Sequence, residues 1–252
     1  IGLENIGNAR FINFQYFFDD KEIDEIAQQM ISFINDKLYG KIGIYTISNY
    51  YDAYLRLLKK LEGKIDISKP KKYETLLPGQ VLGCNFYSAF AADVSFNFFF
   101  GESLFHAIGL RLSTERETFI VDPHTKEIYS VNEEAEKYLK ASFARIAIAN
   151  RAEKIGIIIG EKEGQANLQK ADFLSRELEK FGVKTFKIIM NEITPEKVNK
   201  FQNLDAFIET ACPRIPMNVE GFKRPLLSYP EALALIKLKK KITVENPYRG
   251  AI

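Results

Sequence analysis

The side chains best equipped for chemistry are the two cysteines, and their settings match. Cys84 closes the run PGQVLGC and Cys212 closes LDAFIETAC. Each is expected just past an apolar, strand-like run, in one of two similar halves of the chain. A lone cysteine commonly packs as a small hydrophobe. Two of them at the carboxyl ends of equivalent strands raise a shared ligand instead, because that edge of an open α/β sheet is where ligands bind. Cys212 carries the stronger signal. Pro213 and Pro216 follow it, and proline fixes φ and removes a backbone donor. TACPRIPM therefore reads as a rigid, non-regular strand exit that suits a thiolate held at a set position.

Strand-end turns offer weaker candidates. FFFGESLFHAIG (Phe98–Gly109) sets Gly101, Glu102 and Ser103 ahead of a helix, where backbone N–H groups could face an anion. A glycine there serves turn geometry equally well. His106 follows at the helix start, as a participant at that turn or as a structural hydrogen-bonding ring. VDPHT puts Asp122 at a strand end, able to bind a ribose or an ammonium group, or simply to cap the turn. IIIGEKEGQ places Gly160, Gly164 and Gln165 in a loop with neither GxGxxG nor Walker spacing. No CxxC, HExxH or Ser/His/Asp pattern occurs, so common zinc and hydrolase chemistries lack support.

These candidates need strands and helices to hold them, and an internal repeat supplies the scaffold. KIGI occurs at Lys41–Ile44 and again at Lys154–Ile157. After the first, Tyr51, Tyr54, Leu55, Leu58 and Leu61 recur at helical spacing. After the second, Leu168, Ala171, Leu174, Leu178 and Phe181 do so. Gly63 and Gly182 stand where each helix should stop. A β-rich run follows in each half, KIDI or VKTFKIIM, and then the strand leading to the cysteine. The first half continues through SFNFFF (Ser95–Phe100), a helix near Phe105–Ser113 and a strand at Thr118–Asp122. A long helix, about Glu133–Lys154, bridges to the second half, which finishes with RPLLS and a helix opening near Pro230. Strands alternating with helices predict an α/β fold with parallel sheets.

A strand at Phe11–Phe17, followed by a helix capped by Asp19 or Asp20, is expected to be the tail of a preceding unit. The start at Ile1 rather than Met fits that expectation. The predicted division is residues 1–20 for this remnant, 21–135 for an α/β domain with Cys84 and 136–252 for one with Cys212.

Composition narrows the function classes. The 252 residues suffice for one large domain or two of roughly 110–130 residues. Hydrophobic residues make up 46% and charged ones 27%, an ordinary soluble balance. A net charge of +2 gives no global basic field, so no direct nucleic-acid binding is predicted. Lys237 and Lys239 to Lys241 read as a solvated helix end. Two cysteines make no disulfide scaffold and point to a reducing compartment. No apolar run approaches the ~18–20 residues of a membrane span, and no signal peptide is expected.

Taken together, PGQVLGCN, LFHAIG with VDPHTKE, KIGIIIGEKEGQ, MNEITPEKV, and DAFIETACPRIPM with FKRPLLSYPEAL resemble the diphthamide synthesis family. The likeness runs from about Phe11 to Ile236, is closest to the archaeal 3-amino-3-carboxypropyl transferases, and is most specific at TACPRIP. It implies Rossmann-like α/β domains that each give one cysteine to a [4Fe-4S] cluster. This chain would then hold two such domains and the remnant of a third. Cys84 and Cys212 would be metal ligands, thiolates being the usual iron–sulfur ligands.

The resemblance further implies S-adenosyl-L-methionine as substrate. Electron transfer would cleave an S–C bond, and the resulting 3-amino-3-carboxypropyl radical would add to a histidine of translation elongation factor 2. Gly101, His106, Asp122, Gly164 and Gln165 would be the cofactor-binding residues. Implied with these are a cytoplasmic setting, an electron donor of unspecified identity, and a homodimer or another chain supplying the first domain. Two positions depart from the family turn: Ser103 stands for a glycine and Ala107 for a proline. The alternatives are a cluster-deficient family member serving as partner or scaffold in diphthamide synthesis, or a generic two-domain nucleotide-binding protein.

Overall fold

The computed structural model describes residues 14–37, 40–68, 76–162 and 164–250. The chain divides into two units, Ile1–Ala135 with Ile252, and Glu136–Ala251.

Unit one runs α1 (Asp20–Lys37), β1 (Ile42–Thr46), α2 (Tyr51–Leu61), α3 (Tyr87–Phe90), β2 (Phe96–Phe100), α4 (Leu104–Thr114), β3 (Thr118–Val121) and β4 (Ile128–Ser130), then enters α5 (Asn132–Ala149). Its sheet has the order β1-β2-β3-β4, with the first three strands parallel and β4 antiparallel. The runs IGIYT and FNFFF are buried almost throughout, as strands covered on both faces must be. Asp19 caps α1 reciprocally: its Oδ1 accepts from Glu22 N–H and Glu22 Oε2 accepts from Asp19 N–H, both at 2.8 Å. Ile23, Ile26 and Met30 of α1 share one core with Tyr54, Leu57 and Leu61 of α2. Val81, Ala107 and Leu110 belong to another, with Phe99 and Ile120.

Unit two continues with β5 (Lys154–Gly160), α6 (Leu168–Glu179), β6 (Lys184–Met190), α7 (Pro195–Val198), β7 (Ala206–Glu209), β8 (Leu226–Leu227) and α8 (Tyr229–Lys239). Its sheet is wholly parallel in the order β6-β5-β7-β8. Among the described residues no helix is long and apolar enough to cross a membrane.

Several expectations need correction. Residues 14–17 are irregular rather than strand, and Phe11 to Asn13 lie outside the described residues. Tyr16 N–H reaches Asn49 O at 2.9 Å, and the Tyr16 ring stacks on Tyr50, so aromatic packing rather than a ladder holds this segment. KIDI contributes only a single bridge, Ile67 to Ile42. On α2 the buried stripe is Ala53, Tyr54, Leu57 and Leu61, and Leu55 is exposed, because adjacent helix positions point about 100° apart. On α6, Leu168 and Phe181 are likewise exposed at the ends of a stripe of Ala171, Leu174 and Leu178. The bridging helix stops at Ala149, and Lys154 already belongs to β5.

The largest correction concerns the cysteines. KIGI opens the equivalent strands β1 and β5, whose parallel neighbours on one side are β2 and β7. The place that β6 takes beside β5 is filled in unit one by the bridges Ile42–Ile67 and Thr46–Gln80. Cys84 lies in the loop before β2, whereas Cys212 lies after β7. They are not topological equivalents. Nor is PGQVLG a strand: Pro78 and Gly79 form a turn, which leaves only the bridges of Gln80 and Leu82.

One surface cluster has a testable pH dependence. Glu177 is bonded by Lys180 and, at 2.7 Å, by Lys240, and these bonds hold its carboxyl down at about 2, against an ordinary 4.5. A depressed carboxyl stabilises the fold above its unfolded value, and that contribution fades as pH falls towards the folded one. Glu177→Gln is therefore expected to flatten the acid limb of the stability curve between about pH 5 and about pH 2, read by urea unfolding at each pH.

Candidate functional site

In unit two the carboxyl ends of β5, β6 and β7 open into a cavity of about 600 Å³, lined by Gly160, Gln165, Asn191, Cys212, Arg214 and Glu220 among others. Cys212 stands three residues beyond β7, half-buried and in no disulfide. The chain around it is tied down on both sides. Thr210 donates to Ile158 O through its N–H and its Oγ1, each at 3.0 Å. Ile215 N–H closes a turn onto Cys212 O at 3.0 Å. Glu209, the last residue of β7, is only 2% exposed. Its Oε2 accepts from the N–H of Ala211 at 2.9 Å and of Cys212 at 2.8 Å. Burial pushes this carboxyl up to about 8, against the opposing pull of those two bonds.

Of the expected ligand contacts here, Gln165 lines the cavity, in a turn closed by its N–H to Lys162 O at 2.9 Å. Gly164 occupies the same turn with φ +77° and does not line the cavity.

In unit one Cys84 sits in the tight turn Leu82–Asn85, whose end residues exchange two backbone bonds at 3.0 Å, and its side chain is exposed. Only glycine fits before it. A Cβ on Gly83 would overlap the ring of Phe105, so this contact lays the Cys84 turn against the first turn of α4. The other expected residues of this unit are nearby in sequence order but engaged within the fold. Gly101 donates its N–H to Val121 O at 3.0 Å, which removes it from any anion. His106 Nδ1 lies 2.7 Å from Ser103 Oγ, and its ring stacks on Phe99 with 5.8 Å between centroids. Ser103 thus pins the histidine. Asp122 Oδ1 accepts from His124 N–H at 2.8 Å and Thr125 N–H at 3.3 Å, the turn-capping alternative.

Sequence reasoning missed Glu209 and the cavity residues Asn191 and Arg214. Glu209 had a readable signal, a carboxylate inside the apolar run DAFIETA. It also missed the aromatic group at the end of sheet one, where Tyr50 Oη meets His124 Nε2 at 3.0 Å and the Tyr16 and Phe18 rings face the imidazole. The donor chemistry suits iron and sulfide, since both thiols are accessible in loops. Yet among the described residues no three His, Cys, Asp or Glu side chains stand together as a metal set. Each unit offers one thiolate.

Known proteins share this sequence and fold. The chain is 33% identical over 174 residues to the 2-(3-amino-3-carboxypropyl)histidine synthase of Pyrococcus horikoshii, which covers 69% of this chain and 50% of that protein. It is 31% identical over 236 residues to the synthase subunit 1 of Caenorhabditis elegans, covering 91% of this chain and 59% of the relative. It therefore spans little more than half the length of these relatives. The crystal structure of Pyrococcus horikoshii Dph2 with a 4Fe-4S cluster superposes with a TM-score of 0.78 at 28% identity, over 93% of this chain and 68% of that one. With residues 2–248 matching the family as a whole, the chain belongs to the diphthamide synthesis protein family.

Proposed function

We propose that this chain is part of a 2-(3-amino-3-carboxypropyl)histidine synthase, the transferase of the first step of diphthamide synthesis. Cys84 and Cys212 each act as an iron ligand of a [4Fe-4S] cluster. Further thiolates come from another segment or a partner chain, and an electron donor serves the whole. The cluster, when bound, supplies the electron that cleaves an S–C bond of S-adenosyl-L-methionine. The chain's own residues bind and orient. The cavity beside Cys212 receives the sulfonium substrate. Arg214 there offers a guanidinium to its carboxylate, and Gln165 offers an amide that both donates and accepts. The protein substrate is translation elongation factor 2, through one histidine.

The observation that carries this reading is Cys212 itself: a half-buried thiol, held by bonds on both sides, at the wall of a ligand-sized cavity on the carboxyl edge of a parallel sheet. One fact favours a second reading, a scaffold that holds no cluster, namely the single thiolate per unit.

The test is anaerobic reconstitution of the full-length protein with iron and sulfide, scored by bound iron and by the electron paramagnetic resonance of the reduced cluster. Cys84→Ala and Cys212→Ala are each expected to lower bound iron at least about tenfold, since loss of a structural thiolate removes a metal bond outright. Wild-type protein that takes up no cluster, alone or with a partner, supports the scaffold. Iron uptake untouched by both substitutions sinks the ligand assignment.

A further inference from the structure

We infer that Glu209 is the positioning residue for Cys212, an inference that rests on reading Cys212 as an iron ligand. A carboxyl group at the end of a core strand is an unfavourable choice, because burial strips it of water and it must find hydrogen-bond partners within the fold. Among the described residues Glu209 forms no ion pair of the kind that joins the other buried glutamate, Glu231, to Arg145. Its hydrogen bonds go instead to two consecutive N–H groups, one of them that of the cysteine.

The fold does not require a carboxylate at this place. Aligning β1 with β5 through KIGI sets Tyr45 beside Ile158, and their partners in the next strands are Phe99 and Glu209. Phe99 is fully buried and apolar. The same count puts Glu102 opposite Cys212. An apolar residue therefore fills this strand position where no cysteine follows three residues on, and a glutamate fills it where one does.

Two consequences follow for the sulfur. With residues 211 and 212 both bonded to one oxygen, the Cys212 backbone has a single setting, which fixes the direction of Cα–Cβ and hence the reach of Sγ. The Cys212 N–H is also committed to the Glu209 carboxyl at 2.8 Å, so it would not be available to a cluster sulfur. N–H bonds to sulfur raise the reduction potential of an iron–sulfur centre, so a cysteine with its own N–H withdrawn keeps the centre strongly reducing, as cleavage of a sulfonium demands.

Three variants separate acceptor, charge and length. Glu209→Gln keeps the length and a carbonyl acceptor, Glu209→Asp keeps the carboxyl but shortens the reach, and Glu209→Met keeps the bulk without an acceptor. The first readout needs no cluster: hydrogen exchange of the Ala211 and Cys212 amides. The second is bound iron, reduced-state spectrum and potential of the reconstituted full-length protein. Gln is expected to match wild type in amide exchange and bound iron. Asp and Met, folded by circular dichroism, are expected to exchange both amides at least about tenfold faster, to lose bound iron, and to show in the residual cluster an altered spectrum and a higher potential. Wild-type exchange and spectra in Asp and Met overturn the inference. Should both fail to fold, the Gln variant decides, and a folded Gln protein with fast amides or no cluster overturns it. If Cys212→Ala keeps a full cluster, the ligand reading fails instead, while amide exchange still judges what Glu209 holds.

Discussion

Glu231→Ala is expected to lower folding stability by about 3–5 kcal/mol, the cost of leaving one partner of a buried ion pair alone. Glu231 is fully buried, and both of its oxygens are in use. Oε1 accepts from Arg145 Nε at 3.1 Å and Nη2 at 2.6 Å. Oε2 accepts from Ser228 N–H at 2.7 Å and Oγ at 2.9 Å, completing the capping box that opens α8. Truncation strands the Arg145 guanidinium, whose side chain is only 10% exposed and which faces the ring of Tyr138 at 5.3 Å. It also removes a helix cap, worth roughly 1 kcal/mol in comparable cases. Glu231→Gln keeps one acceptor oxygen, for either Arg145 or Ser228, and turns a donor NH2 towards the other, so it should fall between the two. Guanidinium unfolding of the three proteins measures this, and a loss below about 1 kcal/mol for alanine would show that Arg145 finds water or another acceptor.

Gly79→Ala should destabilise by about 2–5 kcal/mol, combining a left-handed backbone strain with overpacking. Gly79 has φ +80°. A Cβ there would overlap Tyr54 Oη and lie 2.7 Å from Tyr54 Cζ. Tyr54 cannot yield easily, being fully buried with its hydroxyl donating to Ile44 O at 3.0 Å. The backbone cannot yield freely either, since Gly79 O accepts from Thr46 N–H and Val81 N–H donates to Thr46 O, each at 2.9 Å. These bonds hold against β1 the arm that ends in the Cys84 turn. The substitution is therefore expected to reach function as well, lowering bound iron after reconstitution. Combining it with Tyr54→Phe removes the nearest atom of the clash, so the double variant should recover part of the loss. Strict additivity in unfolding free energies would mean that the clash is absorbed elsewhere.

The two predictions mark the boundary between local and long-range information. The Ser228–Glu231 box and the Asp19–Glu22 box are readable along the chain, because cap and partner are three residues apart. So are the apolar strands Ile42–Thr46, Phe96–Phe100 and Lys154–Gly160, and the composite of short motifs that carries the family. The overlap of Gly79 with Tyr54, the pairing of Arg145 with Glu231, and the closeness of Gly83 to Phe105 join residues far apart in sequence, and no periodicity records them.

The cysteines show the division best. Residue type and the two prolines alone determined that Cys212 stands on a rigid exit from a strand, and the parallel α/β class followed from alternating apolar runs and helices. The topological place of Cys84 was decided only in three dimensions. Gln80 to Asn85 form bridges and a turn rather than a strand, because backbone pairing is set by the distant partner strand and not by local apolarity. For the same reason the sequence signals Glu209 only as an acidic residue inside an apolar run: its two hydrogen bonds are local, but its burial, which gives them their strength, comes from the sheet packed around it.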